Sequence, residues 1–190
     1  MALTLSQKPD LDKAKNIVCA LIHVEGGKFQ GKTRLNKAFW RAHVYHYRHN
    51  TGLLSTYPIA RLPEGPAIDD LDRLLLALEQ EGRIKITEQA KGRYLETVLS
   101  LTSNPPRLRE DEAIAIADAI QWVKGKSAAQ VAQESHRFSR GWKTQCNGCI
   151  IDVQMDALDA SELKSLAAEA KTITKNLNWA EEAMREAFGG

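Results

Sequence analysis

The stretch Gly26-Gly-Lys-Phe-Gln-Gly-Lys-Thr33 fits G-x-x-x-x-G-K-T, the pattern of a loop whose backbone N–H groups cradle nucleotide phosphates. In that chemistry Lys32 would reach the β- and γ-phosphates and Thr33 would hold magnesium. Asp152, ending the apolar run Ile150-Ile151, would be the second magnesium ligand. Such a loop has to follow a buried parallel strand. The residues before Gly26 instead carry helical spacing, with Leu11, Ala14, Ile17, Val18, Leu21 and Ile22 on one side. The match is therefore read as a loop between two helices, and nucleotide binding stays an alternative.

A second candidate is Cys146-Asn-Gly-Cys149. As a zinc site it needs two more ligands, and only His136 lies nearby upstream. As a redox pair it needs a thioredoxin-like context, which is missing. Asn147-Gly148 reads as a tight turn before a strand, so two ordinary reduced cysteines are expected. The five histidines form no H-E-x-x-H pattern, and no G-x-S-x-G is present. No catalytic residue, metal or cofactor is assigned.

The third candidate is electrostatic. From Gly26 to Pro63 there is no acidic residue, while Lys28, Lys32, Arg34, Lys37, Arg41, Arg48 and Arg61 sum to +7. With a whole-chain charge of +2, the remainder carries 2 − 7 = −5. Arg34, Lys37, Arg41 and Arg48 fall within about 60° of one another on a helix. That stripe suits an anionic partner, either nucleic acid or an acidic protein surface. A solvated helix face is the plainer alternative. No helix-turn-helix signature places such a helix in a DNA groove. On this reading, charge reversal at Arg34 and Arg41 should weaken partner binding without lowering the melting temperature.

These residues must be positioned by a mostly helical frame. Helices are expected over 11–24, 32–49, from a cap at Asp69 to Gly82, over 110–124, and from the capping box Ser127-x-x-Gln130 to His136. Ser55 to Arg61 reads as a short strand. Leu62-Pro-Glu-Gly-Pro66 is a rigid turn at a strand-to-helix corner, because two prolines fix φ and the glycine frees it. Residues 83–87 and 93–102 form an antiparallel hairpin around Gly92. Residues 141–148 are a loop, and 149–155 a strand. Asp159-x-x-Glu162 opens the longest helix, to about Phe188, with an apolar seam from Leu163 to Ala187 suited to packing on the domain or on a partner. The fold class is α+β, predominantly helical, with a small antiparallel sheet and a long C-terminal helix. The first domain is taken as 1–150, with 151–190 as a C-terminal strand and helix.

Composition bounds the rest. The chain has 190 residues, 43% hydrophobic and 26% charged, an ordinary globular mix that buries a core without a metal or disulfide staple. Its longest apolar run, Ile17 to Val24, is far short of the ~20 residues of a membrane span. Three cysteines cannot all pair internally, and the N-terminus lacks a basic region followed by an apolar one. A cytoplasmic chain with no membrane partner is expected.

Several segments, taken in order, resemble one family. They are Lys32-Thr-Arg-Leu-Asn-Lys-Ala-Phe-Trp through His49-Asn-Thr-Gly52, then Tyr57-Pro-Ile-Ala-Arg61-Leu-Pro63-Glu-Gly65-Pro66, and then Ser127-Ala-Ala-Gln-Val to Ser135-His136, with Trp142. Together they are similar to the Panacea domain, a SocA-like antitoxin family also found in phage-associated proteins, over residues 10–150. The Arg-Leu-Pro-x-Gly-Pro turn is the most specific part. The family's K-L-L-Y core stands here as Lys37-Ala-Phe-Trp, and His43 and His46 occupy a region where the family often has an acid. The resemblance implies a non-enzymatic bacterial antitoxin that neutralises a cognate toxin by protein–protein binding, either directly or as an adaptor to a protease or chaperone. It implies that the phosphate-loop match is coincidental. The candidate partner-binding residues are Arg34, Lys37, Arg41, Arg61, Pro63, Gly65, Pro66, His136 and Trp142. A basic-helix nucleic-acid regulator remains the second reading.

Overall fold

The computed structural model describes residues 9–50, 52–158, 161, 162, 168, 171 and 172. The chain folds as α+β. Its elements are α1 (Leu11–Val24), β1 (Lys28–Gln30), α2 (Lys32–His49), β2 (Ile59–Leu62), β3 (Gly65–Ile68), α3 (Leu71–Gln80), β4 (Ile84–Lys91), β5 (Tyr94–Leu101), α4 (Glu110–Val123), α5 (Ala128–Phe138), α6 (Arg140–Thr144) and α7 (Val153–Ala157). One compact unit runs to Ala157 and a second begins at Leu158. The expected long C-terminal helix lies outside the described residues, except for 161, 162, 168, 171 and 172, which are helical.

Local rules account for most boundaries. Asp10 accepts a hydrogen bond from Lys13 N and opens α1. Ser127 and Gln130 form the expected capping box, with Gln130 N donating to Ser127 Oγ and Ser127 N donating to Gln130 Oε1. The β4–β5 hairpin is antiparallel, closing from Ile84↔Leu101 to Lys91↔Tyr94 around Gly92-Arg93.

Four expectations are corrected. First, Lys28–Gln30 is a strand. It pairs antiparallel with β5 to give the sheet order β1-β5-β4. Second, Leu62 to Pro66 is not a strand-to-helix corner. Pro63-Glu64 is the turn of a second hairpin, with Leu62 opposite Gly65 and Ile59 opposite Ile68. Pro66 fits β3 because β3 pairs only with β2, and an edge strand tolerates a missing N–H. Third, Asp70 rather than Asp69 precedes α3, in left-handed conformation and without a capping bond from its side chain. Fourth, 149–155 is not a strand: Ile150 makes a single bridge to Ala60, and α7 follows. Within the expected loop 141–148 lies most of the short α6.

The centre of the core is α2. It buries Leu35, Ala38, Phe39, Trp40, Ala42 and Val44, along with Lys37, His43 and His46. At 100° per residue these positions go around most of the helix, so α2 is a central helix packed by α4, β3, α5, α7 and α1. Burying each large apolar side chain contributes roughly 1.5–3 kcal/mol.

Candidate functional site

The turn of the β2–β3 hairpin stands beside the α5–α6 junction. Three side chains meet there. The Trp142 indole donates from Nε1 to Leu62 O at 2.7 Å. The His136 imidazole stacks on the Trp142 ring, with centroids 3.9 Å apart and planes 10° from parallel. The Arg61 guanidinium lies 4.7 Å from the same ring's centroid, while Arg61 Nε donates to Trp142 O at 2.9 Å. A cation and two aromatic rings therefore stabilise one another, and the backbone carbonyls around them are occupied. Leu62, Pro63 and Glu64 are exposed at the tip.

Gly65 allows this close approach. Its φ is +102°, and a Cβ there would lie 2.4 Å from Ser135 Oγ, 3.0 Å from Lys37 Cε and 3.1 Å from His136 Cδ2. Backbone freedom and lack of volume are both needed at this one position. Beneath it, Lys37 is buried and donates from Nζ to Pro66 O at 2.8 Å. Burial pulls its pKa down to about 8, against a partial counter-pull from Glu64. His136 Nε2 is buried without a hydrogen-bond partner. Burial first, and then the Lys37 charge, lower the His136 pKa.

Asp156 of α7 holds the start of α6, the helix that carries Trp142. This buried carboxylate accepts from Trp40 Nε1 at 2.8 Å, Ser139 Oγ at 2.8 Å, Arg140 N at 2.6 Å and Gly141 N at 2.9 Å. Burial raises its pKa even so. Gly141 is packed as tightly as it appears, because a Cβ there would lie 3.2 Å from Ile151 Cβ. Nothing in the sequence marked Asp156, whose partners are 15 to 116 residues away. Ser135 was visible only as the neighbour of His136.

The hairpin tip is tied to the cysteine loop. Arg61 N donates to Cys149 O, and Gly148 N donates to Arg61 O, both at 2.8 Å. Arg61 Nη1 reaches Asn147 Oδ1 at 3.5 Å. Cys146 and Cys149 are joined by a disulfide, which corrects the expectation of two reduced thiols. Only Cys19, which is buried, is free among the described cysteines.

The fold thus brings Arg61, Pro63, Gly65, Pro66, Lys37, His136 and Trp142 together. Arg34 and Arg41 are directed elsewhere, and the basic stripe is not a free face. Arg34 pairs with Glu25 at 3.0 Å and donates to Val123 O at 3.3 Å. Arg41 pairs with Asp118 at 2.7 Å, and Arg48 donates to Ala157 O. Of the stripe, Lys37 is buried, Arg34 and Arg41 are half-buried in their ion pairs, and Arg48 is exposed at the end of α2. The phosphate-loop match also loses its frame. It follows a helix, contains the antiparallel edge strand β1, and its Lys32 pairs with Asp72 at 2.7 Å. Two histidines of α2, His43 and His46, are buried and hydrogen-bonded within the fold. His43 Nδ1–H donates to Phe39 O, leaving Nε2 to accept from Ser55 Oγ at 2.8 Å. His46 lies between Gly52 O and Asp111.

Among the described residues no three His, Cys, Asp or Glu side chains are grouped to hold a metal ion. Among them, too, no helix is long and apolar enough to cross a membrane. No family model, curated protein or solved structure matches the chain.

Proposed function

We propose that this chain is a protein-binding antitoxin that docks its cognate toxin on the β2–β3 turn and the Arg61–Trp142–His136 stack. The observation that carries the proposal is convergence. Arg61 and Trp142 stand 81 residues apart in sequence, and both belong to motifs that resemble the Panacea domain, yet they meet in the fold beside His136, over the buried Gly65. Tryptophan and arginine are the residues that most often dominate binding energy at protein interfaces. Here they are ordered before any partner arrives, so little side-chain entropy is lost on docking. The exposed tip, Leu62 to Glu64, would make first contact. The nucleic-acid reading is not favoured, because Arg34, Lys37, Arg41 and Arg48 are engaged within the fold.

A growth assay tests the reading. The open reading frame beside this gene is expressed alone, with this chain, and with its Glu64→Lys and Trp142→Ala variants. The expected result is growth arrest by the neighbour and rescue by this chain. Rescue should be lost with Glu64→Lys at a temperature well below its melting temperature, which should fall only slightly, because Glu64 offsets part of the burial cost of the Lys37 charge. A harmless neighbour, or full rescue by both variants, refutes the proposal. Copurification with purified components then separates direct neutralisation from delivery to a protease or chaperone.

A further inference from the structure

The disulfide between Cys146 and Cys149 lies at the base of the hairpin tip rather than in a separate loop. Cys149 N donates to Cys146 O at 3.1 Å, so the bond closes a single turn. The two backbone groups of that turn that face β2, Gly148 N and Cys149 O, are the ones bonded to Arg61. Ile151 N continues the pairing with a bond to Ile59 O at 2.8 Å. The conformation of the turn therefore sets the backbone of the residue whose guanidinium covers Trp142. Cys146 is exposed and Cys149 half-buried, so the disulfide lies at the surface. A surface disulfide that closes a short ring exchanges with thiols far more readily than one buried in a core.

We propose that Cys146–Cys149 is a thiol–disulfide exchange site for dithiols, and that its redox state sets the arrangement of Arg61 on Trp142. Its consequence for toxin docking rests on the function proposed above; the chemistry does not. A dithiol's thiolate attacks Cys146 Sγ. A bond to the dithiol forms, the Cys146–Cys149 bond breaks, and Cys149 leaves as a thiolate that takes up a proton. The dithiol's second thiol gives up its proton, attacks its own sulfur in the mixed disulfide, and releases Cys146, which is protonated. The protein gains two electrons and two protons, and the dithiol closes to a cyclic disulfide. In the reduced turn the two thiols are no longer held together, and the Gly148 and Cys149 bonds to Arg61 are free to break.

The full chain is equilibrated in buffers of reduced and oxidised dithiothreitol, quenched with iodoacetamide, and mapped by mass spectrometry. A ¹H–¹⁵N spectrum is recorded in each buffer, with Trp142→Phe assigning the indole resonance. Cys146 and Cys149 should convert together while Cys19 stays unalkylated, and the Trp142 indole resonance should shift between the two states. The Cys146→Ser/Cys149→Ser variant should hold the reduced-state position in both buffers. Thiols that stay alkylatable in the oxidised buffer overturn the proposal. So does a Trp142 resonance identical in the two states, or one that still shifts in the double-serine variant. No toxin enters the readout, so it stands or falls separately from the antitoxin reading.

Discussion

Replacing Gly65 by alanine tests the geometry of the candidate surface most directly. Two costs add. A φ of +102° is a conformation that costs an L side chain roughly 1–2 kcal/mol. The new Cβ would also sit 2.4 Å from Ser135 Oγ and 3.0 Å from Lys37 Cε, an overpacking worth roughly 1–3 kcal/mol. The sum is about 2–5 kcal/mol. For a chain of this size each kcal/mol lowers the melting temperature by roughly 2–4 °C, so a fall of about 10 °C is expected by circular dichroism. Gly82→Ala is the control. Its φ is +66° and no atom lies within 4 Å of its Cβ, so only the backbone cost applies, roughly 1–2 kcal/mol. Both variants gain the same small entropic benefit in the unfolded chain, which cancels in the comparison. Ser135→Ala removes the nearest obstacle. Combined with Gly65→Ala it should restore at least about 1 kcal/mol beyond additivity. The packing argument is wrong if Gly65→Ala melts with Gly82→Ala, or if Ser135→Ala restores nothing.

Three further outcomes follow from buried groups. The His43 pKa is lowered to about 4 from 6.5, chiefly by burial. Its contribution is therefore complete above pH 6.5 and falls away between 6.5 and 4, by about 3 kcal/mol in all; urea unfolding of the parent and of His43→Gln across that range checks this. Lys37 works at the other end. Held at about 8 against 10.5, it should make stability rise as pH climbs from 8 to 10.5, an increase that Lys37→Met should lack. Asp156→Ala strands four donors, should cost about 3 kcal/mol or more, and should shift Trp142 fluorescence toward that of an exposed indole. Finally, Arg34→Glu places a carboxylate beside Glu25 and Val123 O. It should lower the melting temperature, contrary to what an outward-facing stripe would give; an unchanged melting curve would restore the stripe as a free surface.

Much of the frame was legible in residue order. The periodicity of residues 11–24, 32–49 and 110–124, the Ser127–Gln130 capping box and the hairpin around Gly92 are local patterns, and each formed within a residue or two of its expected bounds, apart from β4, which continues to Lys91. Strand β1 has only three residues, too few to show alternation, and β3 begins with Gly65-Pro66, which reads as part of a turn. Each exists because a partner strand lies alongside it. The candidate surface was half legible. Its residue types were identifiable from the Arg-Leu-Pro-x-Gly-Pro turn and from Ser-His with Trp142, but Asp156 and the disulfide's bonds to Arg61 were not.

What the sequence determined by itself is therefore the local kind: which segments coil, where they are capped, and which backbone positions demand glycine or proline. Tertiary structure alone decided which side chains meet water. The stripe on α2 has the same spacing whether it is exposed or covered, because spacing along a helix is set by residues three or four apart. Its covering comes from Asp118, 77 residues from Arg41, and from Pro66, 29 residues from Lys37. Trp40 is held by Asp156 across 116 residues. A charge pattern identifies a helix face; only the elements packed upon it decide whether that face is a surface.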